Sequence, residues 1–178
     1  MAFSDPKIIL QAARVREGMR VADFGTGSGH YAFLAARMVG DRGKVIAVDI
    51  QHSLLDRLKK QANEEKLRNV DVVWGDIDDV NGSRLASDSL DMVILANILF
   101  QVEHRQEAAR EAARVLKSGG KVLIVDWESS FGGIGPRASD VISKKDVEEM
   151  FLLAHMKLDS DISDRAGDHH YALVFEKS

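Results

Sequence analysis

Short apolar runs rich in β-branched residues alternate along the chain with segments whose apolar positions recur at helical spacing. Five runs are almost wholly apolar, which is typical of strands that are covered on both faces of a sheet. These five predicted strands lie at residues 21–24, 45–50, 70–74, 90–95 and 122–127, and two weaker ones lie at 156–162 and 171–175. The pattern therefore predicts a seven-stranded sheet.

Helix signals fill most of the intervals between these strands. Ser53 with Asp56, and Ser143 with Asp146, have the spacing of a capping box, in which a helix begins at the serine. Predicted helices cover about residues 6–17, 29–39, 53–66 and 103–117, and a further helix follows Ser143, whereas residues 76–89 show no clear helical pattern. This alternation predicts an α/β protein in which a mostly parallel sheet has helices on both faces.

The last two strands depart from the parallel arrangement, because only about eight residues (163–170) separate them. A parallel crossover needs roughly ten to twelve residues or more. We therefore expect the final strand to run antiparallel beside its predecessor.

Composition narrows the class of protein. The 178 residues suit one domain, and 45% apolar with 29% charged residues is usual for a soluble protein. The net charge of −4, with basic residues spread along the chain, does not favour nucleic acid as a partner. The chain has no cysteine, and its six histidines lack metal-binding spacing, so no metal site is predicted. Without a long apolar run or a secretion signal, we expect no membrane contact and a cytoplasmic location.

The densest chemical signal is VADFGTGSGH at 21–30, where Gly25, Gly27 and Gly29 directly follow the first strand. Glycine permits positive φ and lets a ligand approach the backbone, and nucleotide-like ligands bind at this turn in open parallel sheets. A tight connection whose glycines serve only the turn is the alternative. His30 stands where a dinucleotide fingerprint needs a small residue, which disfavours NAD and FAD, and the Gly-Lys-Ser/Thr ending of an ATP-binding loop is missing.

Acidic residues close the next two strands. Asp49 ends the second strand, where a carboxylate can accept two hydrogen bonds from a ribose diol. Asp76 ends the third strand, where it can accept from an adenine amino group while the backbone N–H of Ile77 meets a ring nitrogen. Asp78 and Asp79 lie nearby, so the choice among these acids stays open.

In this order, these segments resemble the class I S-adenosylmethionine-dependent methyltransferases, over roughly residues 15–178. The resemblance rests on VADFGTGSGH, VIAVD at 45–49, GDID at 75–78, LDMVILAN at 90–97 and RVLKSGGKVLIVDW at 114–127. It implies a single-domain Rossmann-like fold over residues 1–178, with an N-terminal helix (1–18), a cofactor-binding half (19–127) and a C-terminal half (128–178). It also implies S-adenosyl-L-methionine as the cofactor.

The resemblance assigns roles to individual side chains. Asp23 would lie near the ammonium group of the cofactor, Asp49 would bind its ribose, and Asp76 with Ile77 would bind its adenine. Asn97 would face the sulfonium and the substrate. The full set of implied cofactor residues is Asp23, Gly25, Thr26, Gly27, Gly29, Asp49, Ile50, Asp76, Ile77 and Asn97.

Methyl transfer from a sulfonium is an in-line displacement, for which the protein mainly supplies positioning. A general base is needed if the acceptor is a hydroxyl or a protonated amine, and His30, His169 and His170 are candidates. We predict Asn97 and His170 as the catalytic residues.

The sequence says less about the methyl acceptor than about the cofactor. The resemblance favours a small molecule, since Asn97 is followed by Ile-Leu-Phe instead of the Pro-Pro-Tyr of amino-directed nucleic-acid enzymes, and the cysteines of the arsenic-methylating branch are missing. An RNA or protein methyltransferase, an aminopropyl transferase and a non-catalytic S-adenosylmethionine-binding module are the alternatives. Apart from the loop at 128–140, little sequence covers the strand ends. The site is therefore either open to a bulky acceptor or completed by a second subunit in a homodimer.

Overall fold

The computed structural model describes residues 5–130 and 135–178. Its strands are β1 (Arg20–Phe24), β2 (Lys44–Asp49), β3 (Val70–Trp74), β4 (Leu90–Ala96), β5 (Leu116–Trp127), β6 (Met156–Asp161) and β7 (His170–Lys177). Its helices are α1 (Pro6–Ala12), α2 (His30–Val39), α3 (His52–Glu64), α4 (Arg105–Val115) and α5 (Lys144–Leu153), and short 3₁₀ turns lie at Leu99–Gln101 and Ser163–Arg165.

All seven strands join one sheet in the order β3-β2-β1-β4-β5-β7-β6. β7 runs antiparallel to both of its neighbours, and the other pairings are parallel. One apolar core packs α1, α2 and α3 against one face of the sheet, and a second packs α4 and α5 against the other. The predicted fold class, including the antiparallel last strand, is therefore confirmed. None of the helices in the described residues is long and apolar enough to cross a membrane.

Helix ends were predicted less well than strands. α3 begins after Gln51 without a side-chain cap, so the capping box predicted at Ser53 is wrong. Asp49 provides the physical reason, because its Oδ1 accepts from the Gln51 N–H at 2.9 Å and begins the helix earlier. The second box is confirmed, since Oγ of Ser143 accepts from the Asp146 N–H at 3.2 Å.

Two predicted helices are also too long. α1 ends at Ala12 instead of extending to Glu17. α4 ends at Val115 because Leu116 already pairs with Leu90 as the start of β5, so the glycines that follow are part of that strand. Gly18 lies in the connection between α1 and β1, and Gly119 and Gly120 lie within β5, so these glycines do not mark the ends of the helices before them.

The irregular segment between β3 and β4 is held by a buried side chain of α4. Glu111 is fully buried and accepts hydrogen bonds from the backbone N–H groups of Asn81 and Ser83 at 2.9 and 3.2 Å. Burial alone would raise its pKa, but hydrogen bonds from Arg114, Ser83 and Asn81 outweigh burial and lower it. These contacts explain how a segment without a helix is fixed beside the sheet.

Candidate active site

A cavity of about 580 Å³ opens at the carboxyl ends of β1, β2, β3 and β4, within the size range of small-ligand sites. The chain order of the sheet reverses between β1 and β4, which is where open α/β sheets bind their ligands. The cavity wall contains every cofactor residue named from the sequence except Gly29: Asp23, Gly25, Thr26, Gly27, Asp49, Ile50, Asp76, Ile77 and Asn97.

The three glycines of the turn have φ values of +68°, +54° and +78°, a region that favours glycine. They differ in what surrounds them. A Cβ on Gly25 would lie 2.5 Å from Cγ1 of Ile98, and one on Gly29 would collide with side chains of the α2–α3 packing. A Cβ on Gly27 would have Gly25 O as its nearest neighbour, at 3.9 Å. Of the three, only Gly27 has open space where a Cβ would lie, whereas that position is closely packed at Gly25 and Gly29.

Asp49 ties the end of β2 to this turn. Its Oδ2 accepts from the N–H of Gly27 at 3.0 Å and its Oδ1 from the N–H of Gln51 at 2.9 Å. The side chain is 7% exposed. Each carboxylate oxygen has a second lone pair, so the oriented carboxylate can still accept two hydrogen bonds from a vicinal diol.

Asp23 is a buried carboxylate, and among residues 5–130 and 135–178 no lysine or arginine contributes to its pKa. It is 2% exposed, and the hydroxyl of Thr26 donates to its Oδ2 at 2.7 Å. Burial raises the pKa of Asp23 to about 7, against the hydrogen bonds from Thr26 and the Ala32 amide, and the charge of Asp49 raises it further. A positively charged ligand group beside Asp23 would stabilise the ionised carboxylate and lower its pKa.

Asn97 follows β4 in a conformation that other residues rarely adopt, with φ at +54°. Its N–H donates to Val125 O at 2.7 Å, and its side-chain Oδ1 is buried without a hydrogen-bond partner in the described chain. Backbone strain of this kind costs about 1–3 kcal/mol, and an unsatisfied buried acceptor costs a similar amount. A donor on a bound ligand would satisfy this oxygen.

Of the three acids that follow β3, Asp76 and Asp78 line the cavity and Asp79 does not. Asp76 Oδ1 accepts from the N–H of Asp78 at 3.0 Å. Asp78 also lines the cavity, where its Oδ2 accepts from the N–H of Glu103 at 3.1 Å and its Oδ1 is buried without a partner among the described residues. Both carboxylates can therefore meet a ligand amino group, so the choice between them stays open, whereas Asp79 is exposed outside the wall.

The charge of the cavity is one-sided. Asp23, Asp49, Asp76 and Asp78 line it, and within residues 5–130 and 135–178 no lysine or arginine does. A concave surface with charges of one sign attracts ligands of the opposite sign. The cavity therefore suits a cationic ligand and disfavours the phosphates of a dinucleotide or of ATP.

The histidines occupy different places. His30 is exposed and lines the cavity. His170 is 6% exposed and lies outside the wall, with its ring packed on Trp127 at a centroid distance of 4.2 Å, and burial lowers its pKa. The structure thus does not bring His170 to the other candidate residues.

Sequence reasoning missed several residues of the wall, among them Pro6, Tyr31, Ile98, Gln101 and Val102. The last three follow β4, and the parallel topology could have placed them at this edge. Pro6 and Tyr31 reach the cavity through the packing of α1 on α2, for which the sequence carries no local signal.

Comparison with known proteins identifies the family. Residues 15–169 match a family described as a methyltransferase domain. The chain belongs to the class I S-adenosylmethionine-dependent methyltransferases. The ubiquinone/menaquinone biosynthesis C-methyltransferase UbiE of Edwardsiella ictaluri is 34% identical over 125 residues, which cover 68% of this chain and 47% of that protein. The chain thus spans about half the length of the curated relatives it matches.

Solved structures agree with this membership. A SAM-dependent methyltransferase from Aquifex aeolicus superposes with a TM-score of 0.89 at 25% identity, covering 99% of this chain and 91% of that one. The [4+2]-cyclase SpnF has a TM-score of 0.80 at 16% identity, covering 97% and 79%. The likeness to SpnF shows the fold alone, and the name of that protein shows that the fold does not determine the reaction.

S-adenosylmethionine is the cofactor of this family, and the cavity fits it. The acidic wall suits a ligand with a sulfonium and an ammonium group, Gly27 leaves room beside the backbone, and Asn97 offers an unsatisfied acceptor. These features belong to the residues themselves and are independent of the comparisons.

Proposed function

We propose that this protein transfers a methyl group from S-adenosylmethionine to a carbon atom of a small, uncharged organic acceptor. The observation that carries the proposal is the cavity at the β1–β4 reversal, which has four aspartates and no cationic side chain in its described wall. The carbon acceptor is suggested by the relatives, whose names describe C-methyltransferases of quinone biosynthesis.

The cofactor residues follow from the ends of successive strands. Asp23, at the end of β1, faces the ammonium group, and Asp49, at the end of β2, accepts from the ribose hydroxyls. Asp76 and Ile77 bind the adenine, where Asp78 is the alternative acceptor for the amino group. Asn97 lies after β4 and borders both the cofactor and the acceptor. Their common position in one wall supports this assignment.

When bound, S-adenosylmethionine supplies a methyl group activated by the positive charge on sulfur. The chain supplies orientation, for which the strained Asn97 and neighbouring Gln101 are suited, since Gln101 Nε2 donates to Asn97 O at 3.3 Å. Substitution at carbon also releases a proton from the acceptor. His30 lines the cavity and can accept it, whereas His170 could do so only if its ring left Trp127.

The wall also limits the acceptor. Pro6, Tyr31, Ile98 and Val102 contribute apolar surface, and the aspartates repel anions. Phosphate-bearing acceptors such as RNA are therefore disfavoured, and a ring compound of the quinone or hydroquinone class is preferred. A protein that binds the cofactor without transferring its methyl group is the second candidate, because SpnF has this fold and is named a cyclase.

Calorimetry followed by an acceptor screen tests the proposal. We expect S-adenosylhomocysteine to bind with micromolar affinity, about −8 kcal/mol, and NADH not to bind. Incubation with S-adenosylmethionine and a panel of phenols and hydroquinones should release S-adenosylhomocysteine and add one methyl group to a ring carbon. Binding without turnover of any acceptor would favour the binding module, and tight NADH binding alone would refute the proposal.

Three expectations from the sequence stay predictions: a single domain divided at residues 18 and 127, a cytoplasmic location and a homodimer. Light scattering at several protein concentrations would decide the last of these.

A further inference from the structure

The segment at residues 97–102 connects β4 to the turn before α4, and it supplies Asn97, Ile98, Gln101 and Val102 to the cavity wall. Only three of its residues, Leu99–Gln101, form a 3₁₀ turn, and it begins at the positive φ of Asn97. Regular secondary structure therefore does not explain how this part of the wall keeps its shape.

A buried carboxylate outside the cavity holds the segment. Asp126, near the end of β5, is 2% exposed and does not line the cavity. Its Oδ2 accepts from the N–H of Leu99 at 3.1 Å and its Oδ1 from the N–H of Trp127 at 2.8 Å. The carbonyl oxygen of Leu99 is also held, because Arg105 Nε donates to it at 3.0 Å. Both backbone polar groups of Leu99 are thus held by charged side chains.

The arrangement is unfavourable to stability by itself. Burial raises the pKa of Asp126 to about 6, although hydrogen bonds from the Trp127, Leu99 and Ile98 amides and the charge of Arg105 act against burial. Tyr171 of β7 pairs with Asp126 across the sheet, and the acidic Asp146 of α5 also faces that phenol. No cation other than Arg105 is among the groups that lower the pKa.

The held segment is in direct contact with the glycine turn. Ile98 lies so close to Gly25 that a Cβ there would be 2.5 Å from its Cγ1. A shift of Leu99 would therefore move Ile98 against the glycine turn and would also move Asn97. The positions of Ile98 and Asn97 in the cavity wall thus both depend on the backbone of Leu99.

We propose that Asp126, together with Arg105, is a positioning residue that fixes residues 97–102 and so preorganises Asn97 and Ile98 for the cofactor. The inference rests on the proposed function, because it assumes that S-adenosylmethionine binds in this cavity. Asp126 acts through Leu99 and does not touch the ligand.

The test compares Asp126→Asn with the wild type at pH 8. Asparagine keeps one acceptor oxygen but cannot accept from both amides. We expect faster hydrogen exchange at the Leu99 amide and about tenfold weaker binding of S-adenosylhomocysteine, with a urea midpoint that is unchanged or higher because a buried charge has been removed. A structural role alone would lower the midpoint and the affinity together.

Two further variants sharpen the test. Asp91→Asn is the matched control, since Asp91 accepts from the Arg20 N–H at 2.7 Å at the other end of β4, and it should leave affinity unchanged. Arg105→Met should weaken binding as Asp126→Asn does, and the double variant should weaken it by less than the product of the two factors.

Wild-type affinity in Asp126→Asn, or a loss that parallels a lower urea midpoint, would overturn the inference. Failure of the wild-type protein to bind S-adenosylhomocysteine would instead refute the proposed function, and exchange at Leu99 would still report on the two side chains that hold it.

Discussion

Replacing Asp23 by asparagine separates the effect of this side chain on stability from its effect on cofactor binding. In the folded protein its pKa is about 7, raised from 3.8 by burial. The folded state therefore keeps the proton to higher pH than the unfolded chain, and stability falls as pH rises from about 4 to about 7. Roughly three pKa units at 1.36 kcal/mol each amount to about 4 kcal/mol of destabilisation above pH 7.

Asparagine is neutral and has nearly the same shape, so it removes this penalty. Its oxygen can still accept from the Thr26 hydroxyl, but its NH₂ group would face the Ala32 N–H, which loses about 1 kcal/mol of hydrogen bonding. We therefore expect Asp23→Asn to be more stable than the wild type by up to about 3 kcal/mol at pH 8. At pH 4 it should be less stable by about 1 kcal/mol.

Urea unfolding without ligand at both pH values measures the first effect, and calorimetry with S-adenosylhomocysteine at pH 8 measures the second. Binding should weaken tenfold or more, because the ammonium group loses its carboxylate. A variant that is destabilised equally at pH 4 and pH 8 would refute the view of Asp23 as an uncompensated buried charge. Unchanged affinity would refute its role toward the ammonium group.

Two other substitutions test the turn and the ribose contact. Gly27→Ala places a methyl group in the cavity at φ +54°, so S-adenosylhomocysteine binding should be lost while stability falls by about 1 kcal/mol. Gly119→Ala is its control, because Gly119 has φ +73° with nothing within 4 Å of an added Cβ, and a variant that loses only stability is expected there. Asp49→Ala should weaken binding tenfold or more in a folded protein, since each charge-assisted hydrogen bond contributes about 1.5–3 kcal/mol. Unchanged affinity in calorimetry would show that the ribose lies elsewhere.

The strands could be predicted because burial on both faces leaves a local trace, the almost continuous apolar runs such as Val45 to Val48. The direction of β7 followed from the length of one connection. Helix ends were predicted less well. α3 begins before Ser53 because the Asp49 carboxylate, two residues before Gln51, accepts from the Gln51 N–H, a local contact that the capping-box pattern does not include. The pairing of Leu116 with Leu90 ends α4, and this is a tertiary effect that a local pattern does not contain.

The candidate site, like the fold, could be predicted from the sequence only in part. Asp23, Asp49 and Asp76 end or nearly end their strands, so parallel topology was enough to bring them together. Asn97 could be named only from the family resemblance. The catalytic role predicted for His170 stays a prediction, and its position against Trp127 could not be foreseen because it depends on the long-range register of β5 and β7.

Asp91, outside the cavity, and Asp23, in its wall, differ in how their charges are compensated, and this difference has a measurable consequence. Burial would raise the pKa of Asp91, but hydrogen bonds from the Arg20 amide and from Lys117 lower it, whereas that of Asp23 is raised and no lysine or arginine of the described residues lowers it. A destabilising charge therefore lies where we expect a cationic ligand to bind. S-adenosylhomocysteine at 100 times the wild-type Kd should add about 2.7 kcal/mol to the wild type, but only about 1.4 kcal/mol to a variant that binds tenfold more weakly. The stability advantage of Asp23→Asn should thus shrink by about 1.3 kcal/mol when ligand is added. An advantage that stays constant would mean that the ligand does not interact with Asp23, and the ammonium contact would then have to be assigned to another carboxylate of the wall.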